Sequence, residues 1–399
     1  MSREKDKYFM EYAKQDVLLL WEVAQSILEL HSKFDISICV SLPQLGSKIF
    51  KHHFMEHTIP LPHKGIIYAS LYSYHGGKNL CNVEKGMYKN VYSYDIVSAY
   101  PFAMHSFPSF SYLDKYYKVT YIHTFKTINP YGIYKISGEA KNCKYPILYS
   151  HDYLPLKGFF EKVWVSGFEL KEALRNREVK LSSMFGYAYD YKSDKRSSPF
   201  EKYVDHFFKE KNNSEGVIKH QNKLLLNSLY GKFIQTIKHK GEIFYDVDQD
   251  KIINNSTVEG TGMFHPFIAS LITGHTRAYI HKLEHLTNSM HTSTDSVKSF
   301  KKIPDKLLGD KLGQLKIECF GDCLIWRSRL YVHWNGKREN GDIKKYALHA
   351  FRGSKEQLIE MFDTNTHTYT YKKMNKLKES IKRGLQVNAF EDQEAQIKT

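Results

Sequence analysis

The 399-residue sequence has few cysteines, no apolar run of membrane-spanning length and no apolar signal core behind its first residues. Each absence removes a class of protein. The five cysteines, Cys39, Cys81, Cys143, Cys319 and Cys323, are scattered and odd in number, and no pair of CxxC elements exists. Neither a disulfide framework nor a zinc ribbon is therefore indicated. Without a run of about eighteen apolar residues no transmembrane helix is expected, and the polar N-terminal stretch does not read as a secretory signal. The expectation is a soluble, intracellular protein, in a host cytoplasm or an organelle, with no membrane partner. Acidic residues are in short supply too. Against 58 Lys and Arg stand 43 Asp and Glu, leaving a net charge of +15 and a pI of about 9.2. That balance favours a polyanionic partner, nucleic acid first. The 29 tyrosines and 24 phenylalanines interleave with the basic residues, as nucleic-acid grooves often require. Hydrophobic residues make up 42% and charged residues 25%, enough for a globular chain of two or three subdomains.

What is present is densest at Lys223-Leu-Leu-Leu-Asn227-Ser228-Leu-Tyr230-Gly231-Lys232, inside a helix predicted from about Glu215 to Tyr230. At 3.6 residues per turn Lys219, Lys223, Asn227 and Tyr230 share one face, while Leu224, Leu225 and Leu229 turn to sides that can be buried. Gly231 is expected to end the helix. Two ammonium groups, an amide and a hydroxyl-bearing ring in a row suit a triphosphate followed by a sugar and base. On the helix alone, an amphipathic element with a solvated lysine face and a glycine cap accounts for the same residues. The full pattern Lys-x-x-x-Asn-Ser-x-Tyr-Gly fixes five positions, which chance supplies in about one chain of this length in 10⁴. It matches nucleotide-binding motif B of family B DNA polymerases. The preceding Lys211-Asn-Asn-Ser214-Glu215-Gly216-Val-Ile-Lys219 resembles the protein-primed branch found in phages, adenoviruses and linear plasmids.

Further stretches resemble other motifs of that family, in its order. Tyr12-Ala-Lys-Gln-Asp16, on a helix predicted over residues 7–31, is similar to the third exonuclease motif, in which the Asp binds a metal and the Tyr positions water. The two earlier exonuclease motifs do not precede it, and one carboxylate cannot hold a two-metal hydrolytic site. No 3′–5′ exonuclease activity is expected of this chain alone. Tyr74-His75-Gly76-Gly77 resembles the Tyr-x-Gly-Gly element that contacts template; read alone it is an ordinary turn. Asn90 to Pro101 contains a strand ending at Asp95. A carboxylate there can hold Mg²⁺, with the Ile96 carbonyl as a second hard oxygen ligand, and the amides that follow can meet phosphates. The stretch resembles motif A, with Ala99 where Leu is usual. The resemblance implies nucleotide contact by Ser98, and by Tyr100 under the sugar, where it would clash with a 2′-hydroxyl. Lys211, Lys219 and Lys223 match lysines around the triphosphate. Thr273-Gly-His-Thr276-Arg277, on a helix from about Pro266, resembles an element that contacts the template and primer backbone. His291-Thr-Ser293-Thr294-Asp295-Ser296 resembles motif C on a hairpin, with His291 for the family's Tyr and Ser293 for its first Asp. Arg327-Ser-Arg329-Leu-Tyr331 resembles the Lys-x-Tyr element that holds the primer terminus, with Arg329 in place of Lys. Ser228, Gly231 and Thr294 complete the residues for which the resemblance implies DNA or primer contact.

The resemblance implies an α+β fold of right-hand polymerase type, with an antiparallel palm sheet, helical fingers and a small thumb. Its segments are a remnant of the exonuclease domain with linker (1–58), palm (59–110), an insertion like terminal protein region one (111–199), fingers (200–232), a second insertion (233–262), palm (263–344) and a basic thumb (345–399). The implied function is template-dependent nucleotidyl transfer from dNTP to a primer 3′-hydroxyl or a terminal-protein hydroxyl, replicating a viral, phage or plasmid genome without proofreading of its own. Asp95 and Asp295 are the expected catalytic metal ligands for two Mg²⁺ ions, with Mn²⁺ able to substitute. The expected partners are primed DNA template, dNTPs, a terminal protein and a separate exonuclease chain. Ser293 leaves open the alternative of a catalytically degenerate remnant that binds DNA as a replication accessory. A primer-independent or translesion relative is a third reading.

Overall fold

Stretches rich in aromatic and β-branched residues form the strands, and stretches rich in Lys, Glu and Leu form most helices. The computed structural model describes residues 3–120, 125–236, 245–246, 251–252, 262–374 and 390–397. In chain order come α1 (Arg3–Lys33), α2 (Leu42–Ile49), α3 (Lys64–Ser73), β1 (Lys78–Cys81), β2 (Gly86–Ile96), α4 (Ala99–His105), β3 (Tyr116–Val119), β4 (Gly132–Ala140) and β5 (Gly158–Ser166). Then follow α5 (Gly167–Arg175), β6 (Val179–Tyr189), α6 (Glu201–Asn213), α7 (Gly216–Lys232), β7 (Tyr245–Asp246), β8 (Lys251–Ile252) and α8 (Pro266–Thr287). The last are β9 (His291–Thr294), β10 (Ser296–Ser299), β11 (Leu315–Arg327), β12 (Leu330–Asn335), β13 (Asp342–Leu348), α9 (Lys355–Asp363), β14 (Thr368–Met374) and β15 (Phe390–Gln396). The chain forms two units. Unit 1 comprises Met1–His75 and Ser98–Ala278; unit 2 comprises Gly76–Val97 and Tyr279–Thr399.

Unit 2 is built on a seven-stranded sheet in the order β1-β9-β10-β2-β11-β12-β13, antiparallel at every pairing. Its long central pair, β2 and β11, runs from Ile96 opposite Leu315 to Gly86 opposite Ile325. Leu324, Trp326, Leu330, Val332 and Trp334 pack with Phe351, Leu358 and Met361 into one core cluster. Burial of side chains of this size contributes about 1.5–3 kcal/mol each. A capping box, Ser354 with Gln357, starts α9.

Unit 1 holds a four-stranded antiparallel sheet, β3-β6-β4-β5, whose core includes Tyr134, Ile136, Val165 and Leu170. Around α6 and α7 lies an aromatic core in which Phe50 stacks on Phe200 and Tyr203 meets Phe207. The Tyr203 hydroxyl donates to the Leu225 carbonyl at 3.0 Å and ties α6 to α7. Gly46 lets α2 approach closely, since a Cβ there would lie 3.0 Å from the Tyr203 hydroxyl.

The helix α7 departs from the expectation in two ways. α7 continues through Gly231 to Lys232, and Gly231 is not among the residues with positive φ. The helix ends instead at buried Phe233, whose N–H donates to the Tyr230 carbonyl. Leu224 is 39% exposed, whereas Leu225, Leu226 and Leu229 are fully buried. Most of the expected second insertion (237–244, 247–250, 253–261) and most of the basic tail (375–389) lie outside the described residues. Among the described residues no helix is long and apolar enough to cross a membrane.

Candidate active site

β9 and β10 of unit 2 form a tight hairpin with Thr294-Asp295 at its tip, Ser296 standing opposite Ser293. So short a turn puts Thr294 in the left-handed region, at φ 55°. On its other side β10 pairs with β2, so that Ser296 stands opposite Asp95, and the Ile96 N–H donates to the Asp295 carbonyl at 2.9 Å. Backbone register alone thus brings Asp95 and Asp295 to adjacent positions, both half-buried. Two carboxylates beside the strand-end backbone of Ile96 are hard oxygen donors, and the set fits Mg²⁺ or Mn²⁺. Gly77 abuts this tip: a Cβ there would come within 2.5 Å of the Thr294 methyl carbon. Only a glycine lets the chain entering β1 lie this near the hairpin.

Beneath the hairpin lies a buried polar network that sequence reading missed. Lys78 donates to Glu284 at 2.5 Å with both side chains fully buried, and Glu284 also accepts from the Thr292 hydroxyl at 2.8 Å. Burial pushes the Glu284 carboxyl up, but the Lys78 charge and the hydrogen bonds from His281, Lys78 and Thr292 outweigh it and hold the pKa below the usual range. Lys298 is buried as well. Its ammonium donates to Ser93 at 3.1 Å and sits 4.0 Å from the centre of the Tyr331 ring. Burial lowers its pKa to about 8. His291, at the position of the family's tyrosine, accepts the Arg329 N–H through Nε2 at 3.2 Å and meets the Tyr331 ring edge-on. Burial first, then Lys298 and Lys345, depress its pKa to about 3, so the ring is neutral. His291 thereby fastens motif C to Arg329 and Tyr331, the expected primer-terminus residues. The Arg329 guanidinium reaches the His349 ring at 2.8 Å. Ser293 hydrogen-bonds Asn79, its partner across the β1–β9 pair, at 3.4 Å.

Unit 1 carries the lysine face of α7. On α7, Lys219 and Lys223 are exposed and Asn227, Ser228 and Tyr230 half-buried. Tyr230 stacks on Tyr100 with ring centres 4.0 Å apart. Lys211, at the end of α6, donates to the Ser98 hydroxyl at 3.1 Å. Ser98 and Tyr100, which follow the strand of Asp95, therefore meet Lys211 of α6 and Tyr230 of α7. Tyr74 is near them: burial, then Tyr230 and Tyr153, push its hydroxyl up to about 12.

Two expectations need correction or a plain account. Thr273 and Arg277, expected to face DNA, are buried inside unit 1. Arg277 Nε and Nη2 each lie 2.7 Å from a Glu169 oxygen, and Nη1 donates to the His75 carbonyl. Glu169, at the start of α5, also accepts from the Ser166 hydroxyl at 2.7 Å. Arg277 is a clamp between α8 and α5, and its fork is already filled by a carboxylate. Tyr12 and Asp16 are exposed on α1. The periodicity did place α8 correctly, but a helix pattern cannot show which polar residues have a buried partner on another element.

Comparison with known proteins gives the class first. The fold matches that of phi29 DNA polymerase with primer-template DNA at a TM-score of 0.67 and 19% identity, over 94% of this chain and 70% of that one. The same polymerase with DNA and incoming nucleotides matches at a TM-score of 0.65 and 18% identity, over 93% of this chain and 69% of that one. The architecture is that of a right-hand polymerase. The chain belongs to the family described as DNA polymerase type B, organellar and viral, whose model matches residues 3–300. Among curated relatives, a probable DNA polymerase of Neurospora intermedia is 28% identical over 251 residues, covering 57% of this chain and 24% of the relative. The DNA polymerase of Acidianus bottle-shaped virus is 25% identical over 348 residues, covering 80% of this chain and 47% of the relative. The chain thus spans about a quarter to about a half of the length of these relatives.

Proposed function

We propose that the chain catalyses template-dependent DNA synthesis for a viral, phage or plasmid genome, joining a deoxynucleotide to a primer 3′-hydroxyl or to a terminal-protein hydroxyl. The observation that carries this is the register that sets Asp295 beside Asp95. In the reaction the hydroxyl oxygen bonds the α-phosphorus and pyrophosphate leaves. Asp95, Asp295 and the Ile96 backbone would hold two Mg²⁺ ions, or Mn²⁺ in their place. When bound, such ions lower the pKa of the attacking hydroxyl and neutralise the leaving pyrophosphate.

Lys211, Lys219 and Lys223 bind the triphosphate, each charge-assisted contact contributing about 1.5–3 kcal/mol. Tyr100, backed by the Tyr230 ring, sits under the sugar and rejects a 2′-hydroxyl; Ser98 and Asn227 complete the nucleotide contacts. Tyr74, Gly76, Gly77, Ser228, Gly231, Thr294, Arg329 and Tyr331 contact template and primer, with Arg329 suited to bidentate phosphate contact. Thr273 and Arg277, buried inside unit 1 with the Arg277 guanidinium held by Glu169, are not proposed to contact DNA. Proofreading is not proposed for Tyr12 and Asp16, which offer one carboxylate where two-metal hydrolysis needs more. A terminal protein and a separate exonuclease chain are the proposed further partners.

One observation favours a second reading, a DNA-binding accessory without catalysis: Ser293 stands at a carboxylate position of motif C and is paired with Asn79. Primer extension on a primed single-stranded template, with Mg²⁺ or Mn²⁺, separates the two. Extension that Asp295→Asn loses supports the polymerase. Tight DNA binding without extension in either metal supports the accessory.

A further inference from the structure

Lys298 on β10 is buried, and the proposed transfer chemistry does not use it. In the sheet it stands opposite Ser93 of β2 on one side and His291 of β9 on the other. Directly opposed residues point to one face of a sheet, and Asp95 is two positions past Ser93 on β2, so Lys298 lies on the face that carries Asp95. Its ammonium donates to the Ser93 hydroxyl at 3.1 Å and sits 4.0 Å from the centre of the Tyr331 ring. The His291 ring meets Tyr331 edge-on, with ring centres 5.2 Å apart. Tyr331 is thus held from two sides, and its hydroxyl feels the charges of both Glu318 and Asp95. Among the described residues no carboxylate pairs with Lys298; Glu318, which acts on it through space, is bound to Lys345.

A buried ammonium without a paired counter-charge disfavours folding, and an apolar side chain of the same length would fill the space without that cost. What the charge adds is a hold on the electron-rich face of an aromatic ring, an attraction that is strongest where water is excluded. The ring it holds belongs to the residue expected at the primer terminus. We infer that Lys298 is a positioning residue: its charge fixes the Tyr331 ring and, through it, the primer 3′ end beside Asp95. The inference rests on the reading that Tyr331 contacts the primer. Burial lowers the Lys298 pKa to about 8, so the hold is present below that pH and is lost above it. The other groups that face Lys298 do not imitate this change. His291 and His333 are held neutral at about 3, Cys323 is pushed up to about 12, burial raises Cys319 and Tyr331, and Glu318 and Lys345 pair with each other.

The test reads binding of a primer-template whose primer ends in 2-aminopurine, by fluorescence, without nucleotide or divalent metal. In wild type the dissociation constant should rise about tenfold as pH passes about 8. Lys298→Met should bind about tenfold more weakly at neutral pH and show no step near pH 8. Lys298→Arg, which stays charged throughout, should bind near wild type at neutral pH and keep that affinity in alkali. The template strand alone should bind alike in all three. Wild-type affinity in Lys298→Met, a step that survives in it, or an equal loss of binding to the template strand alone would overturn the proposal. If Lys298→Met does not fold, Lys298→Arg decides: a step near pH 8 that persists in it overturns the proposal, and its disappearance supports it. Tyr331→Ala separates the inference from the reading beneath it. Unchanged primer-end affinity in Tyr331→Ala refutes the primer contact itself, whereas a loss there with no effect of Lys298→Met refutes the role of Lys298 alone. Because the assay needs no synthesis, a chain that cannot extend primers can still pass it.

Discussion

The carboxylate hairpin of unit 2 and the lysine face of unit 1 are built in opposite ways. Around the hairpin a set of polar groups is buried and held: Lys78 by Glu284, Thr292 by the same carboxylate, Lys298 by Ser93, His291 by Arg329. On the lysine face of unit 1, Lys219 and Lys223 of α7 stand in solvent, Lys211 of α6 donates to Ser98, and Tyr230 stacks on Tyr100. Metal ligands must be placed to within a fraction of an ångström, and strand register with a buried scaffold provides that. A triphosphate arrives from solution as a diffuse polyanion, and long side chains that can follow it suit its capture.

The comparison can be broken most severely at the carboxylates. Asp95→Asn or Asp295→Asn should lower primer-extension rate by about 10³-fold or more while leaving DNA affinity in place. A variant within tenfold of wild type would remove that residue from the metal site. Next comes the scaffold. Lys78→Met leaves Glu284 buried without its cation and should cost about 3–5 kcal/mol of stability, whereas Lys78→Met with Glu284→Leu should recover most of the loss. Denaturant unfolding of both variants checks this. If the contrast between the units is right, Lys223→Ala acts differently from either: dNTP KM rises about tenfold or more, unfolding is unchanged and kcat falls less than KM rises.

The smallest effect is on pH. Burial holds His291 and His333 at about 3 and His265 at about 4, below the ordinary histidine value. Between those values and about 6.5 the unfolded chain binds more protons than the folded one, so stability is full above about pH 6.5 and is lost as pH falls toward 4. Thermal unfolding at pH 7, 6 and 5 should show a declining midpoint; a flat profile would contradict neutral buried rings.

Much of the site was legible because its residues sit on regular elements. The aromatic and β-branched run before Asp95 became β2, and the 3.6-residue spacing correctly put Lys219, Lys223, Asn227 and Tyr230 on one helix. The thr-rich hairpin around Asp295 also formed where its motif lies. What stayed hidden depends on partners distant in sequence. Lys78 and Glu284 are 206 residues apart, and Arg277 meets Glu169 across 108. No local pattern reports such pairs, so Arg277 read as a residue contacting the template and primer backbone. Lys298 was the exception that could have been found: a lysine two positions after Ser296 on a strand whose neighbours are apolar or small is a cation facing inward. Gly231 misled because glycine at a helix end usually signals a cap, while here buried Phe233 stops the helix.

The hydrogen bond from Lys211 to Ser98 changes what nucleotide binding at that lysine would be. A lysine that already has a hydroxyl partner has given up much of its rotamer freedom before any ligand arrives. A phosphate that takes it over exchanges a neutral acceptor for a charged one, so the step is a change of partner and little of it is immobilisation. The entropy of ordering that side chain is then carried by the empty protein, and affinity at this position is set by the difference between two acceptors.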